Sequence, residues 1–288
     1  MNFKNRVEAT RRDLTTSEEK IANYILGHPK ETVKMSINEL AVASRTSAAT
    51  VSRLVKSLQI ESYTAMKVMI SVDLAGQKDQ DTDEKLDIST NDSFDKICNH
   101  LVKNEIENLN HTKELLQEGI CQGVVKRLLK TETIYVFGVG ASSLAAENIY
   151  QKWSRVGYNV VCETDINVLL PQLSNATKAD TLWLVSNSGE TPECIYLANY
   201  AHKNHLFTIS LTMFGQNSLV KKTNLALTTC KPIEPDVRVG ATNSITGQFY
   251  VINVLFYLYF SRDFDRSLKA VTASRKEVEN YRQIFKVK

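Results

Sequence analysis

The segment TIYVFGVGASSLAAENIYQKWSRVGYNVVCETD (133–165) restricts the folds open to this chain more than any other feature. A β-branched and aromatic run (133–137) breaks into a glycine loop, a helical period follows from about 143 to 155, and a second apolar run covers 158–163. This is a βαβ unit, and its strands are parallel because the helix carries the chain back across the sheet. The pattern continues. TLWLV (181–185) reads as a third strand, TPECIYLANYAHKNH as a helix with Thr191 at its N-cap and Pro192 at N1, and LFTISLT (206–212) and NLALTT (224–229) as fourth and fifth strands. The expectation is an α/β domain with a parallel five-stranded sheet covered by helices on both faces.

In such sheets ligands bind beyond the carboxyl ends of the strands. Two loops of similar chemistry fall there: GVGASS (138–143) and SNSGET (186–191). Gly138 and Gly140 let backbone amides approach an anion, and Ser142 and Ser143 add hydroxyls at a helix N-terminus. Ser186, Asn187, Ser188 and Thr191 repeat the arrangement one strand over. A solvated turn explains one such loop; two at the same strand depth point to a ligand rich in oxygen, a phosphate joined to a polyol. No Lys-Ser or Lys-Thr follows the glycines, which excludes a nucleotide P-loop. A dinucleotide site is nearer, since Glu163 ends the second strand about 23 residues after Gly140, but Ser143 replaces its third glycine. None of the five histidines (His28, His100, His111, His202, His205) falls in a loop at this edge, so general acid/base chemistry lacks its usual carrier.

The first 75 residues read as helices only. Thr16 with Glu19 and Ser36 with Glu39 have capping-box spacing, each marking a helix start. SINELAVAS (36–44) gives a short helix, RTS (45–47) a tight break, and SAATVSRLVKSLQ a longer helix with Val51, Leu54, Val55 and Leu58 on one apolar stripe. Short helix, three-residue break and longer helix form the helix-turn-helix layout. Ser47, Ala49, Thr50, Ser52, Arg53 and Lys56 are the candidate DNA contacts: small groups at the N-terminus for close approach, Arg53 for a base edge or phosphate. Positive charge concentrates here, because Arg45, Arg53, Lys56 and Lys67 oppose only Glu61 across residues 45–67.

KDQDTDEKLDISTND (78–92) is charged and poor in large apolar groups, the composition of a linker. The expected organisation is a helix-turn-helix domain over 1–77, the linker, and the α/β domain with flanking helices over 93–288. Within 93–130 a helical period runs through Ile97, Leu101, Ile106, Leu109, Leu115, Val124 and Leu128. The net charge of +3 argues only weakly for a polyanionic partner, so local clusters decide. Five scattered cysteines without a CxxC pair argue against a disulfide framework or a zinc site and fit a cytoplasmic setting. No stretch reaches the roughly 18 apolar residues that span a bilayer, and Val251–Phe260 reads as a buried helix.

The two loops resemble those of the sugar isomerase (SIS) phosphosugar-binding domain, and the helix-turn-helix resembles that of the RpiR/MurR regulators, which join the two modules in this order. ELAVASRTSAATVSRLVKSLQIESY (39–63), FGVGASS, SNSGET and EPDVRVGATNS (234–244) carry the resemblance over nearly the whole chain. It implies a transcription regulator of sugar-metabolism genes that binds double-stranded operator DNA and responds to a phosphorylated sugar. It also implies no enzymatic activity, cofactor or metal, and a homodimer or homotetramer; the apolar Phe249, Val251, Leu255 and Phe256 fit a subunit surface and core packing equally well. By the same resemblance Ser142, Ser143, Ser186, Ser188 and Thr191 hold the sugar phosphate, with Glu234 and Arg238 near its rim, a pair that reads equally as a surface ion pair. The chain departs from the family pattern at Arg45, where a glycine is usual, and at Gln59, Ile60, Ser62 and Tyr63. Catalytic relatives carry Glu or His where this chain reads Asp165, Ile166, Asn167. That favours a sensor, with a sugar-phosphate isomerase bearing an appended helical domain as the alternative.

Overall fold

The computed structural model describes residues 3–76, 88, 90–231 and 240–285. The chain forms two compact units, Met1–Ser89 and Thr90–Lys288. No helix among the described residues is long and apolar enough to cross a membrane.

Among the described residues the first unit holds six α-helices: α1 (Phe3–Thr10), α2 (Thr16–Gly27), α3 (Pro29–Thr32), α4 (Ile37–Ala43), α5 (Ala48–Ser57) and α6 (Tyr63–Gly76). Val51, Leu54, Val55 and Leu58 are all buried, packed with Ile21, Ile25, Leu40 and Met66. The expected cap of α2 moves back by one residue. Thr15, in extended backbone, caps the helix, and Glu18 closes the box on it. A cap needs the non-helical conformation that Thr15 has and Thr16 has already left. The Ser36–Glu39 box forms as expected.

Both helices of the helix-turn-helix end in the same way. After α4, Thr46 N–H donates to Ala41 O and Arg45 N–H to Val42 O; after α5, Ile60 N–H donates to Val55 O and Gln59 N–H to Lys56 O. These are Schellman turns with a left-handed residue at the first position past the cap. Arg45 (φ 53°) and Gln59 (φ 54°) occupy those positions. The turn geometry of the glycine pattern is therefore kept with side chains in place of glycine, at about 1 kcal/mol each. Arg6, nearly buried, donates from Nη1 to Leu58 O and Gln59 O (both 3.1 Å), closing the carbonyl end of α5.

The second unit is built on a parallel sheet in the order β2-β1-β3-β4-β5. Its strands are β1 (Thr133–Gly138), β2 (Asn159–Glu163), β3 (Thr181–Val185), β4 (Phe207–Met213) and β5 (Leu225–Thr229). On one face lie α7 (Phe94–Leu115), α8 (Glu118–Leu128), α9 (Ala141–Arg155) and α12 (Thr242–Arg262), and on the other α10 (Ile166–Leu173) and α11 (Pro192–Lys203). The first core centres on Trp153, edge-on to Trp183 at 5.3 Å. A final helix, α13 (Phe264–Ile284), has only Ser267 buried.

One sequence expectation changes here. In α7 the C-terminal part packs, on α12 and β5, with Asn108, Thr112 and Leu115 buried, whereas Ile97, Leu101 and Ile106 stay exposed. In α12, Val251 and Leu255 are fully buried and Phe249 and Phe256, partly buried, pack against the same core, as the buried-helix reading of Val251–Phe260 expects. His205 occupies a left-handed turn position (φ 56°) past α11.

Candidate functional site

The strand order reverses between β1 and β3: β1 runs on to β2 on one side, and β3 to β4 and β5 on the other. A crevice opens at such a switch point, where the following helices leave on opposite faces of the sheet. Gly138 pairs with Val185, so the two hydroxyl loops leave adjacent strands at one level.

The first loop is tight. A Cβ at Gly138 would sit 2.6 Å from Ser142 O, and Gly140 caps α9 at φ 59°. Ser143 Oγ donates to Gly140 O (2.7 Å), and Ser142 is nearly buried. The second loop is pinned from below. Ser186, buried, accepts from Gly189 N–H (3.1 Å) and shares a hydrogen bond with Thr191 Oγ1 (2.7 Å). Asn187 O accepts from Met213 N–H (2.8 Å). Ser188 is exposed, and its Oγ accepts from Glu190 N–H (3.2 Å). Gly189 (φ 67°) has no room for a Cβ, which would collide with the Asn217 carboxamide. Asn217 in turn donates to Thr212 Oγ1 (3.1 Å) and accepts from Val220 N–H (3.0 Å). Ser218 N–H donates to Glu190 Oε1 (2.8 Å), a further tie to the loop after β4.

Ser142, Ser143, Ser186, Asn187, Ser188 and Thr191 thus stand on two loops that leave adjacent strands at one level, but not in equal roles. Ser186 and Thr191 satisfy each other and shape the loop; Ser143 and Ser188 are the more accessible hydroxyls. Glu234 and Arg238 lie outside the described residues. Asn217 was not legible in the sequence, since its contact with Gly189 spans 28 positions and follows no local pattern. Asp165 caps α10, its Oδ1 accepting from Asn167 N–H (2.8 Å) and Nδ2–H (2.9 Å). Glu163 accepts from Gln172 (3.1 Å). Thr191 stands at the N-cap of α11 without a side-chain capping bond.

In the first unit Ser47 caps α5, accepting from Thr50 N–H (3.2 Å). Ala49, Ser52, Arg53 and Lys56 project outward, as the apolar stripe required. Thr50 departs from expectation: it is buried, and its Oγ1 accepts from Arg53 Nη2–H (3.1 Å), so it orients Arg53 instead of facing outward. Ser57 donates to Glu18 (3.1 Å), which ties α5 to α2. Burial alone would raise the Glu18 carboxyl. The hydrogen bonds from the Thr15 hydroxyl and backbone and from Ser57, with the nearby charge of Arg53, outweigh it and hold Glu18 below the usual range. Lys67 points elsewhere, donating to Met35 O (3.1 Å).

The helix-turn-helix domain model of the rpiR family matches residues 1–77, and the SIS domain model matches residues 127–258. A helix-turn-helix transcriptional regulator of Bacillus subtilis, YbbH, is 30% identical over 276 residues, covering 96% of each chain. The chain belongs to the RpiR family of transcriptional regulators. This regulator is also 26% identical to HexR of Escherichia coli over 288 residues, covering 99% of this chain and 98% of HexR. Its fold matches that of Vibrio vulnificus NanR complexed with ManNAc-6P, at TM-score 0.61 and 24% identity over 97% of this chain and 99% of NanR. In the RpiR-family regulator, then, the candidate DNA-reading helix and the candidate effector crevice lie in separate units, one matched by each domain model.

Proposed function

We propose that this regulator binds operator DNA through the outward face of α5, and that a phosphorylated sugar seated between the Gly138–Ser143 and Ser186–Thr191 loops changes that binding. The observation that carries the reading is the pairing of Gly138 with Val185 at the switch point, which sets two amide- and hydroxyl-lined loops side by side. The phosphate is held by backbone amides at the start of α9 and by Ser143 and Ser188, the sugar by the remaining rim. Arg53 reads a base edge or a phosphate, and Lys56 contacts phosphate. The role is sensing without turnover: Asp165, the acid that would keep isomerase chemistry open, is engaged as a helix cap. The sugar-metabolism targets follow from the effector's chemistry. The chain works as a homodimer or larger homo-oligomer, because one recognition helix reads too short a half-site.

Thermal melting against a panel of hexose, pentose and amino-sugar phosphates, ManNAc-6P included, identifies the effector. A ligand at 100 times its Kd adds about 2.7 kcal/mol of stability. Ser188→Ala is expected to weaken that effector about ten- to hundredfold, the loss of one hydrogen bond to a charged oxygen. Binding to a DNA duplex selected from a random pool, without effector, stays unchanged. An unchanged effector response in Ser188→Ala, or aldose–ketose interconversion of any panel member, overturns the reading.

A further inference from the structure

The outward face of α9 changes sign along its length. Leu144, Glu147, Tyr150, Gln151 and Arg155 fall on one side of the helix, all exposed. Two grooves meet at Tyr150. One, of about 520 Å³, runs from Ser143 along edge strand β2 and is lined by the acids Glu147 and Glu163. The other, of about 810 Å³, lies between α9 and α13 and is lined by Arg155, Arg275 and Arg282, with Glu279. An acidic groove and a basic groove joined at an exposed aromatic make a surface complementary to itself under a twofold rotation, the condition for an isologous interface.

The helix beside it, α13, is only thinly packed on α9 and α12. Of the 21 residues of α13, Ser267 alone is buried, and Val278 and Tyr281 are 46% and 62% exposed. In proteins most helical stability comes from tertiary packing, and α13 has little within its own chain. A polyanion on the basic groove is disfavoured by the acidic groove next door and by Glu279, which already holds Arg275 at 2.7 Å.

We propose that a second copy of this chain packs on the α9–α13 face, its α9 antiparallel to the first, with the twofold axis near Tyr150 and Gln151. At 1.5 Å per residue, Glu147 and Arg155 lie about 6 Å to either side of Gln151. The axis therefore sets Glu147 against Arg155 of the partner subunit, twice. Arg155 of the partner subunit then stands one helical turn from Ser143, so both copies build the rim of the effector crevice. That last consequence rests on the phosphosugar reading; the interface does not. Oligomerisation belongs to the function proposed above, and the surface that makes it is what this geometry adds.

Sedimentation of the full chain tests it. The wild type is expected as a dimer or larger, Glu147→Arg and Arg155→Glu each as half that size, and the double exchange Glu147→Arg/Arg155→Glu back at the wild-type size. Gln151→Cys, compared with the parent chain under mild oxidation, is expected to give a disulfide-linked dimer, whereas Val168→Cys on α10, also exposed, is not. A monomeric wild type, single exchanges that keep the wild-type size, a double exchange that stays dissociated, or no Gln151→Cys cross-link overturns the proposal. Failure to find an effector leaves all of these readouts intact.

Discussion

Gly189→Ala tests whether the SNSGET loop owes its shape to the loop after β4. The substitution has two separable costs. The first is backbone: a side chain at φ 67° costs about 1–2 kcal/mol. The second is steric, because the new Cβ displaces the Asn217 carboxamide from Thr212 Oγ1 and from Val220 N–H. Asn217 is nearly buried, so water does not replace these bonds, and each is worth about 0.5–1.5 kcal/mol net. The expected loss is roughly 2–5 kcal/mol, within the 5–15 kcal/mol of an ordinary domain, so the variant folds. Gly157→Ala is the control: Gly157 also has positive φ (89°), but nothing lies within 4 Å of its Cβ position, so only the backbone cost of about 1–2 kcal/mol applies. Urea unfolding followed by tryptophan emission measures both, because Trp153 and Trp183, the two tryptophans of the chain, are buried in the second unit. If Gly189→Ala costs no more than Gly157→Ala, Asn217 does not brace the loop and the reasoning fails.

Two further predictions concern the first unit, read as the helical melting step that leaves tryptophan emission unchanged. Gln59→Gly relieves the left-handed strain at the end of α5 and is expected to stabilise that unit by up to about 1 kcal/mol after glycine's own entropic cost; a lower melting temperature refutes the strain argument. Glu18 titrates below the usual carboxylate range in the fold, so its ionised form stabilises the unit fully above the ordinary glutamate pKa, and the contribution disappears as pH falls through the lower folded value. Glu18→Gln is expected to remove that part of the acid limb while lowering stability near neutrality, and an acid limb identical to the wild type's contradicts the assignment.

Much of this architecture is legible in the residues because its causes are local. Alternation of apolar runs and helical periods fixes the five parallel strands to within a residue or two, and the stripe Val51, Leu54, Val55, Leu58 fixes which side of α5 faces out. The two hydroxyl loops are visible for the same reason: glycines and serines that end strands are a local signature. The cap of α2 slipped from Thr16 to Thr15 because two hydroxyl residues with acids three positions on stand side by side, and only the backbone conformation separates them. What no local pattern carries is who meets whom over long separations. Asn217 under Gly189, Arg6 on the last carbonyls of α5, and Thr50 turned inward to orient Arg53 depend on the packing of distant elements. The exposure of Ile97, Leu101 and Ile106 is likewise invisible to periodicity, which shows that a helix has an apolar face but not whether a neighbour reaches it. The sequence by itself determined the order of elements and the chemistry at the strand ends. The tertiary structure decided the strand order that sets the two loops side by side, because the side of β1 on which each new strand adds is a choice of packing that the residues within a strand do not encode.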